Sequence, residues 1–233
     1  MDKDFYALHY KAGLPLTNNI NPCAIRDFVI CKITEWIIQG QIKPGDKLIA
    51  SQIAQKLDLS SIPIREALFT LEGTGIVKRI DRRGFYLAKI SISDLNELYC
   101  LRKLLEDEVH RICVPKITNN NISQLRLLND EMQESAQKGE NILWIMQNRE
   151  FHFVPFKHMN NIRMMRFINQ LWDSNTIYIA AHVFMGTAYQ KIHDQHNTLI
   201  DAFYKRDSNL VNKLMTDHRD FTFDTIKNKI IDI

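Results

Sequence analysis

The chain has 233 residues, 45% of them hydrophobic, and 30 Lys and Arg against 27 Asp and Glu leave a net charge of +3. A chain of this length can hold one large domain or two small ones, with enough apolar residues for a real core. No apolar run approaches the length needed to span a membrane, which excludes a transmembrane helix from the reading.

The small net charge conceals an asymmetry. Residues 1–90 carry 13 Lys and Arg against 9 Asp and Glu, whereas residues 91–233 carry 17 against 18 and hold seven of the eight histidines. Two modules with different partners fit this split, as does an ordinary solvated surface. The start Met1-Asp2-Lys3-Asp4 has no basic region followed by an apolar stretch, so no secretion signal is read there. Cys23, Cys31, Cys100 and Cys113 are scattered without a Cys-x-x-Cys pair, the pattern of reduced structural thiols in a cytoplasmic protein.

Residues 1–21 are punctuated by Gly13, Pro15 and Asn18-Asn19, and read as an irregular arm. A helix is expected over 24–39, with Ile25, Phe28, Val29, Ile33, Trp36 and Ile37 on one face. Pro44-Gly45 is a turn, followed by a short extended piece ending at Leu48. Residues 52–57 form a short amphipathic helix, and Asp58-Leu59-Ser60 a tight turn. The next helix carries its own signals. Ser60 is the expected cap, Pro63 sits in the first turn where its missing N–H costs nothing, and Ile64, Ala67, Leu68 and Leu71 point inward. Gly73 and Gly75 end it. Arg65 projects off the apolar stripe near the helix start. This is a helix-turn-helix, whose second helix lies in the DNA major groove. Residues 77–80 and 85–88 then read as two strands joined through Asp81-Arg82-Arg83-Gly84, a hairpin whose basic tip can reach phosphates or the minor groove.

On these residues the segment 24–90 resembles the winged-helix domain of GntR-type bacterial transcription regulators. The carrying motifs are Ile42-x-Pro44-Gly45-x-x-Leu48, Leu59-Ser60-x-x-Pro63-Ile64-Arg65-Glu66-Ala67-Leu68, Leu71-Glu72-x-x-Gly75-Ile76-Val77 and Gly84-Phe85. The chain departs from the family pattern twice: Ser61-Ile62 replaces the usual Arg-Thr, so one expected DNA contact is missing, and Asp58 stands where Gly is usual. The resemblance implies DNA contacts from Ser60, Ser61, Ile62, Arg65, Arg82, Arg83 and Gly84.

Beyond a junction at 91–93, with Ser93 as the expected cap, periodicity is helical to the end of the chain. Helices are expected over 94–114, 122–137, 141–158, 162–185, 187–205 and 208–227, with Pro155 kinking the third. The fold class is therefore mainly α: an N-terminal winged helix-turn-helix over 22–90 with a small β-hairpin wing, then an antiparallel all-α bundle of about six helices over 91–233.

Three histidines of the bundle lie on apolar stripes. His152 shares a face with Ile145, Asn148, Pro155 and Met159; His196 with Ile192, Leu199 and Phe203; His218 with Val211, Leu214 and Phe221. One inward histidine is ordinarily a hydrogen-bonded core residue, and periodicity cannot say whether three of them converge. If they do, three imidazoles with an oxygen donor suit Zn²⁺, Ni²⁺ or Mn²⁺. Arg102 also lies on an inward stripe and needs an anionic partner, either a structural acid such as Glu150 or Asp201 or a bound carboxylate.

Residues 94–225 also resemble the FCD ligand-binding domain of the FadR subfamily, through Leu101-Arg102-x-x-Leu105-Glu106, Asn148-x-x-Phe151-His152, His196-x-x-Leu199-Ile200-x-Ala202, Arg206-Asp207 and Met215-x-x-His218. The resemblance implies a divalent metal held by Asn148, His152, His196 and His218, with Asn148 where Asp is commoner and Gln195 where Glu usually precedes His196. It further favours a small organic acid anchored by Arg102 beside the metal, and the spacing of Tyr178, His182 and Tyr189 makes them candidates to line the same pocket. A homodimer on a near-palindromic double-stranded operator is the implied assembly. The expected activity is a metal-dependent, acid-sensing transcription regulator and not an enzyme. Two rivals stand beside it: a metallo-enzyme, which lacks an evident general base because Glu150 is two residues from His152, and a DNA binder with a purely structural bundle.

Overall fold

The computed structural model describes residues 22–89, 91–183 and 188–231. The arm expected over 1–21 lies outside them. The first helix, α1 (Pro22–Ile38), starts on a proline and turns Val29, Ile33, Trp36 and Ile37 inward. It closes where Gly40 adopts φ +68 and both Gln41 and Ile42 donate to the Trp36 carbonyl. The extended piece after the Pro44-Gly45 turn is a true strand, β1 (Lys47–Leu48).

Helix α2 (Ala50–Leu57) ends at Asp58, which sits in the left-handed region at φ 53. That explains why Asp can stand where Gly is usual: the position needs positive φ, and Asp tolerates it better than most side chains. Helix α3 (Ser61–Gly73) buries Ile64, Ala67, Leu68 and Leu71 as the stripe predicts. Ser60 occupies the cap position, but its side chain makes no capping hydrogen bond, so the expected cap is not formed. Strands β2 (Val77–Ile80) and β3 (Gly84–Leu87) form the hairpin. Strand β1 pairs antiparallel with β3, Lys47 opposite Tyr86, so the wing is a three-stranded sheet in the order β1-β3-β2 rather than a bare hairpin.

Six helices follow: α4 (Ile92–Cys113), α5 (Asn119–Lys138), α6 (Asn141–Phe153), α7 (Ile162–Val183), α8 (Ala188–Tyr204) and α9 (Ser208–Ile231). Ser91, not Ser93, caps α4, its hydroxyl accepting from Asp94 N at 3.1 Å; Ser93 is already inside the helix. Thr118 and Asn121 cap α5 reciprocally. Pro155 does not kink α6 but ends it: the helix stops at Phe153 and a single 3-10 turn, Pro155–His158, carries the chain onward. A proline there cannot donate to the preceding turn.

Two large hydrophobic cores result, with a smaller third cluster of Leu95, Leu98, Tyr99, Tyr178 and Ile226 beside them. One is built on Val29, Ile33, Leu48, Ile64, Leu68 and Leu87. The other fills the bundle with Val109, Leu125, Phe151, Ile168, Leu199 and Val211. They touch, because Ile38 at the end of α1 is buried in the bundle core and not in its own. The Ser174 hydroxyl on α7 lies against the Thr74 carbonyl at the end of α3 and also within 2.8 Å of the Gln170 carbonyl of its own helix, so its one proton serves both, adding a second tie. Among the described residues no helix is long and apolar enough to cross a membrane.

Candidate functional site

The N-terminal face presents a row of uncommitted polar and basic groups. Ser60, Ser61, Ile62 and Arg65 at the start of α3 are all exposed, Ile62 to 70%. The α3 stripe is turned into the core, so the helix geometry leaves this first turn outward. Arg82 and Arg83 are exposed at the hairpin tip, and Arg82 takes φ 60. Gly84 follows at φ 98, a value that L side chains rarely adopt. Phe69 of α3 meets Phe85 of β3 edge to face at 5.1 Å, and Arg79 lies over the Phe69 ring. That contact ties the hairpin to the second half of the helix.

In the bundle, His152 of α6, His196 of α8 and His218 of α9 converge. Their ring centroids lie 5.0–5.2 Å apart, and one nitrogen from each falls within 4.8 Å of the others. All three are buried. The nitrogens differ in role. His196 Nδ1 lies 3.2 Å from Asn129 Oδ1, and His218 Nδ1 lies 2.9 Å from Gln195 Oε1. Each amide oxygen accepts, so each Nδ1 carries the proton and each Nε2 keeps its lone pair. His196 Nε2 is buried with no partner. Gln195, where the resemblance expects Glu, thus has a definite task in orienting His218. His196 is also held flat against Phe151, the rings 4.0 Å apart. Burial, reinforced by the neighbouring imidazoles, holds the pKa of His152 and His196 well below the ordinary histidine value. Both are neutral at pH 7, the form that coordinates a cation. An orphaned buried nitrogen and a preset donor set fit a divalent metal ion.

Beside the imidazoles lies a cavity of about 20 Å³, walled in part by Asn148, His152, His218, Arg102 and Arg219. Asn148 is buried there, one turn before His152. Arg102 is buried, but its acid partner is neither Glu150 nor Asp201. Its Nε donates to Glu106 one turn along α4 at 2.9 Å, while Asp201 pairs with Arg126 and Glu150 accepts from Gln124 on the outer face. Glu106 also accepts from Trp172 Nε1 at 2.9 Å and from Arg219 at 3.1 Å. Burial alone would push its carboxyl up; the two guanidinium charges overcome that and hold it below the usual range. Two buried cations therefore face one buried carboxylate. The second acid, Asp107, binds Arg219 at 2.6 Å from a position 27% exposed. Arg219 is thus paired with two carboxylates, and Arg102 shares one of them.

Tyr178 and Tyr189 do not join this cavity. Tyr178 donates to Asp94 at 2.5 Å near the start of α4, and Tyr189 donates to Asn141 at 2.8 Å beside Trp144. Spacing placed both on the right helices but could not give their rotation. The side chain of His182 lies outside the described residues. Conversely, Tyr99, Asn175 and Arg219 line the cavity and escaped the sequence reading. The signal was available for Asn175, which interrupts the stripe of Ile168, Trp172 and Ile179 as the histidines interrupt theirs.

Comparison with known proteins bears on both parts. Residues 25–87 match the bacterial regulatory proteins of the gntR family, and residues 97–221 match the FCD domain. The chain is 28% identical to the uncharacterized HTH-type transcriptional regulator YdhC of Bacillus subtilis over 60% of its own length and 64% of that protein. It is likewise 28% identical to the HTH-type transcriptional regulator McbR of Escherichia coli, over 57% of the chain and 60% of the relative. These matches thus span under two thirds of either relative. Among solved structures, E. coli McbR/YncC superposes with a TM-score of 0.77 at 20% identity, covering 88% of this chain and 98% of that one. A GntR regulator structure from Rhodococcus sp. RHA1 gives 0.71 at 19% identity, over 87% and 97%. At these identities the structural likeness speaks for the fold.

Proposed function

This chain belongs to the GntR family of bacterial regulatory proteins that carry an FCD domain, and we propose that it is a transcription regulator, of the FadR subfamily, whose operator binding answers to a metal-bound small carboxylate. Residues 22–90 form the DNA-binding module in this reading and residues 91–233 the sensing module. The relatives described above are regulators rather than enzymes, and Glu150, the acid nearest in sequence to His152, lies exposed on the outer face. Two copies on a near-palindromic operator, acting in the cytoplasm, complete the proposal.

The observation that carries it is the orphaned, buried Nε2 of His196 among three convergent imidazoles. Asn148, His152, His196 and His218 would hold a divalent ion of the Zn²⁺, Ni²⁺ or Mn²⁺ class, which supplies a Lewis-acidic centre for carboxylate oxygens. Arg102 and Arg219 supply the remaining cationic surface. Ser60, Ser61, Ile62 and Arg65 face the major groove, and Arg82, Arg83 and Gly84 the adjoining backbone. An acid that binds the bundle in one arrangement of the two modules better than another shifts operator affinity by that difference. The test is operator binding by metal-loaded protein titrated with a panel of small carboxylates. A change in apparent affinity that vanishes after chelation supports the reading. Affinity unmoved by every acid and by chelation leaves the bundle a structural element only.

A further inference from the structure

Helix α3 shows water one side chain with no polar function near its start. Ser61, Ile62, Arg65 and Glu66 are the exposed residues of its first two turns. Ile62 is 70% exposed, against 48% for Phe69 and 37% for both Ile49 and Ile80, the other large exposed apolar side chains described in residues 22–89. Phe69 is partly covered by the Phe85 ring and the Arg79 guanidinium, whereas Ile62 joins no hydrophobic cluster among the described residues. Single exposed apolar residues are ordinary on a protein surface. This one stands where a helix-turn-helix places its base-reading side chains, at the N-terminal end of the second helix.

The chemistry of the major groove limits what such a side chain can meet. Every base edge there shows hydrogen-bond donors or acceptors, and thymine alone adds an apolar group, its C5 methyl. An isoleucine side chain neither donates nor accepts. Against any other base edge it would displace water from a polar group and return no bond. Against thymine it buries a methyl. Its neighbour on the helix narrows the position. Arg65 lies three residues on, exposed and without an ion partner among the described residues, and its planar fork suits guanine O6 and N7. Side chains three apart on a helix stand about 5–6 Å from one another, and successive bases of a strand about 3.4 Å, so the two address bases about one or two steps apart.

We propose that Ile62 is a specificity-determining residue of the operator interface, selecting through its apolar side chain the C5 methyl of a thymine within about two base steps of the guanine read by Arg65. This rests on the placement of the start of α3 in the major groove and adds to it the identity of one base.

The test starts from a pool of random DNA duplexes, from which the full chain selects its own site. The enriched duplex should hold a thymine within about two base steps of a guanine whose preference is lost in Arg65→Ala. Deoxyuridine in place of that thymine keeps the base pair and removes only the methyl. Each such replacement should weaken wild-type binding about fourfold, the effect of one methyl left in water. Ile62→Val keeps an apolar branch and should show a similar loss. Ile62→Ser, an exposed change that leaves the core untouched, should bind the thymine and deoxyuridine duplexes within about twofold of each other. No such thymine in the enriched duplex, equal binding of the two duplexes by wild type, or a deoxyuridine loss that persists in Ile62→Ser would overturn the methyl contact. Arg65→Ala separates this failure from a wider one. If that variant binds the enriched duplex less tightly, α3 still meets the DNA and only the thymine reading falls. If Arg65→Ala and Ile62→Ser both bind as wild type does, the start of α3 does not read the operator and both readings fall together.

Discussion

His196 Nδ1 lies 3.2 Å from Asn129 Oδ1, and the other nitrogen of that ring is buried without a partner. Asn129 is itself fixed, its amide nitrogen donating to the His193 carbonyl and to Asn197. The chain of bonds runs from the backbone of α8 through α5 and back to one imidazole, which sets the tautomer and the ring plane. His196→Ala should therefore abolish metal binding, and the metal-stripped wild type should melt lower and recover when Zn²⁺ or Ni²⁺ returns. Asn129→Leu should leave all three histidines in place yet lower metal affinity by about 10–100-fold. Metal content per chain with melting temperature for the three proteins decides this. Equal metal in wild type and His196→Ala would make the imidazoles core residues.

The buried imidazoles also predict a pH dependence of stability in the metal-free protein. Burial takes His110 down to about 4, opposed only in part by Glu106, and its Nδ1 faces Asn212 at 3.0 Å. His152 and His196 are lowered as well, first by burial. Below about 6.5 the unfolded chain takes up protons that the folded chain refuses, so stability is complete above that pH and declines as pH falls toward the folded values. Each such group contributes a slope of up to about 1.4 kcal/mol per pH unit within that window. Urea unfolding at pH 7.5 and 5.5 in the presence of a chelator should show the loss, and His110→Gln should reduce it. A flat profile would mean that these rings are protonated or solvated in the fold.

Much of this was legible in the sequence, and for one reason. Wherever a helix packs on one face, an apolar stripe reports its inward side, so a polar residue breaking the stripe announces a buried polar group. That is how His152, His196, His218 and Arg102 could be read from spacing alone. What spacing does not carry is rotation about a bond or pairing between helices. Arg102 reached Glu106 one turn away on its own helix, and Tyr178 turned toward Asp94, choices settled by tertiary packing. Strand β1 was legible only as an extended piece, since its identity as a strand depends on β3 lying beside it.

On the DNA side, Arg65 is exposed at the first turns of α3, and its guanidinium has no ion partner among the described residues. Arg65→Ala should cost about 1–3 kcal/mol at the operator if it reads a base edge in two bonds, and relax sequence preference there. Arg82→Ala with Arg83→Ala should weaken binding evenly across sequences and lower the salt slope by about 1 for each phosphate left without its arginine. Titrations at several salt concentrations against operator and scrambled duplexes separate the two. Normal operator affinity in a folded Arg65→Ala protein would show that another surface meets the groove.

The two modules are not independent, and this changes what a lesion in one should do to the other. Ile38 belongs by sequence to the first helix of the DNA-binding part, yet only 3% of it is exposed and its neighbours are bundle residues. The Ser174 hydroxyl holds the Thr74 carbonyl at the foot of α3, so a shift of α7 has a direct route to the recognition helix. Trp172, which bonds Glu106 in the cavity wall, is two residues from Ser174 on that same helix. An acid that repositions Arg102 or Trp172 would thus move the end of α3 through a rigid element. Ile38→Ala should cost about 2–5 kcal/mol as a buried truncation, and should split calorimetric melting into two transitions by loosening the joint. Ser174→Ala should cost little stability, about 0.5–1.5 kcal/mol, and leave operator affinity without acid near that of wild type. Its effect should fall on the acid response, which is expected to shrink although acid binding itself persists. The measurement is operator affinity with and without saturating acid in wild type and Ser174→Ala, alongside calorimetric scans of Ile38→Ala. A full response in the first and a single transition in the second would place the coupling elsewhere, across a partner copy rather than through α7.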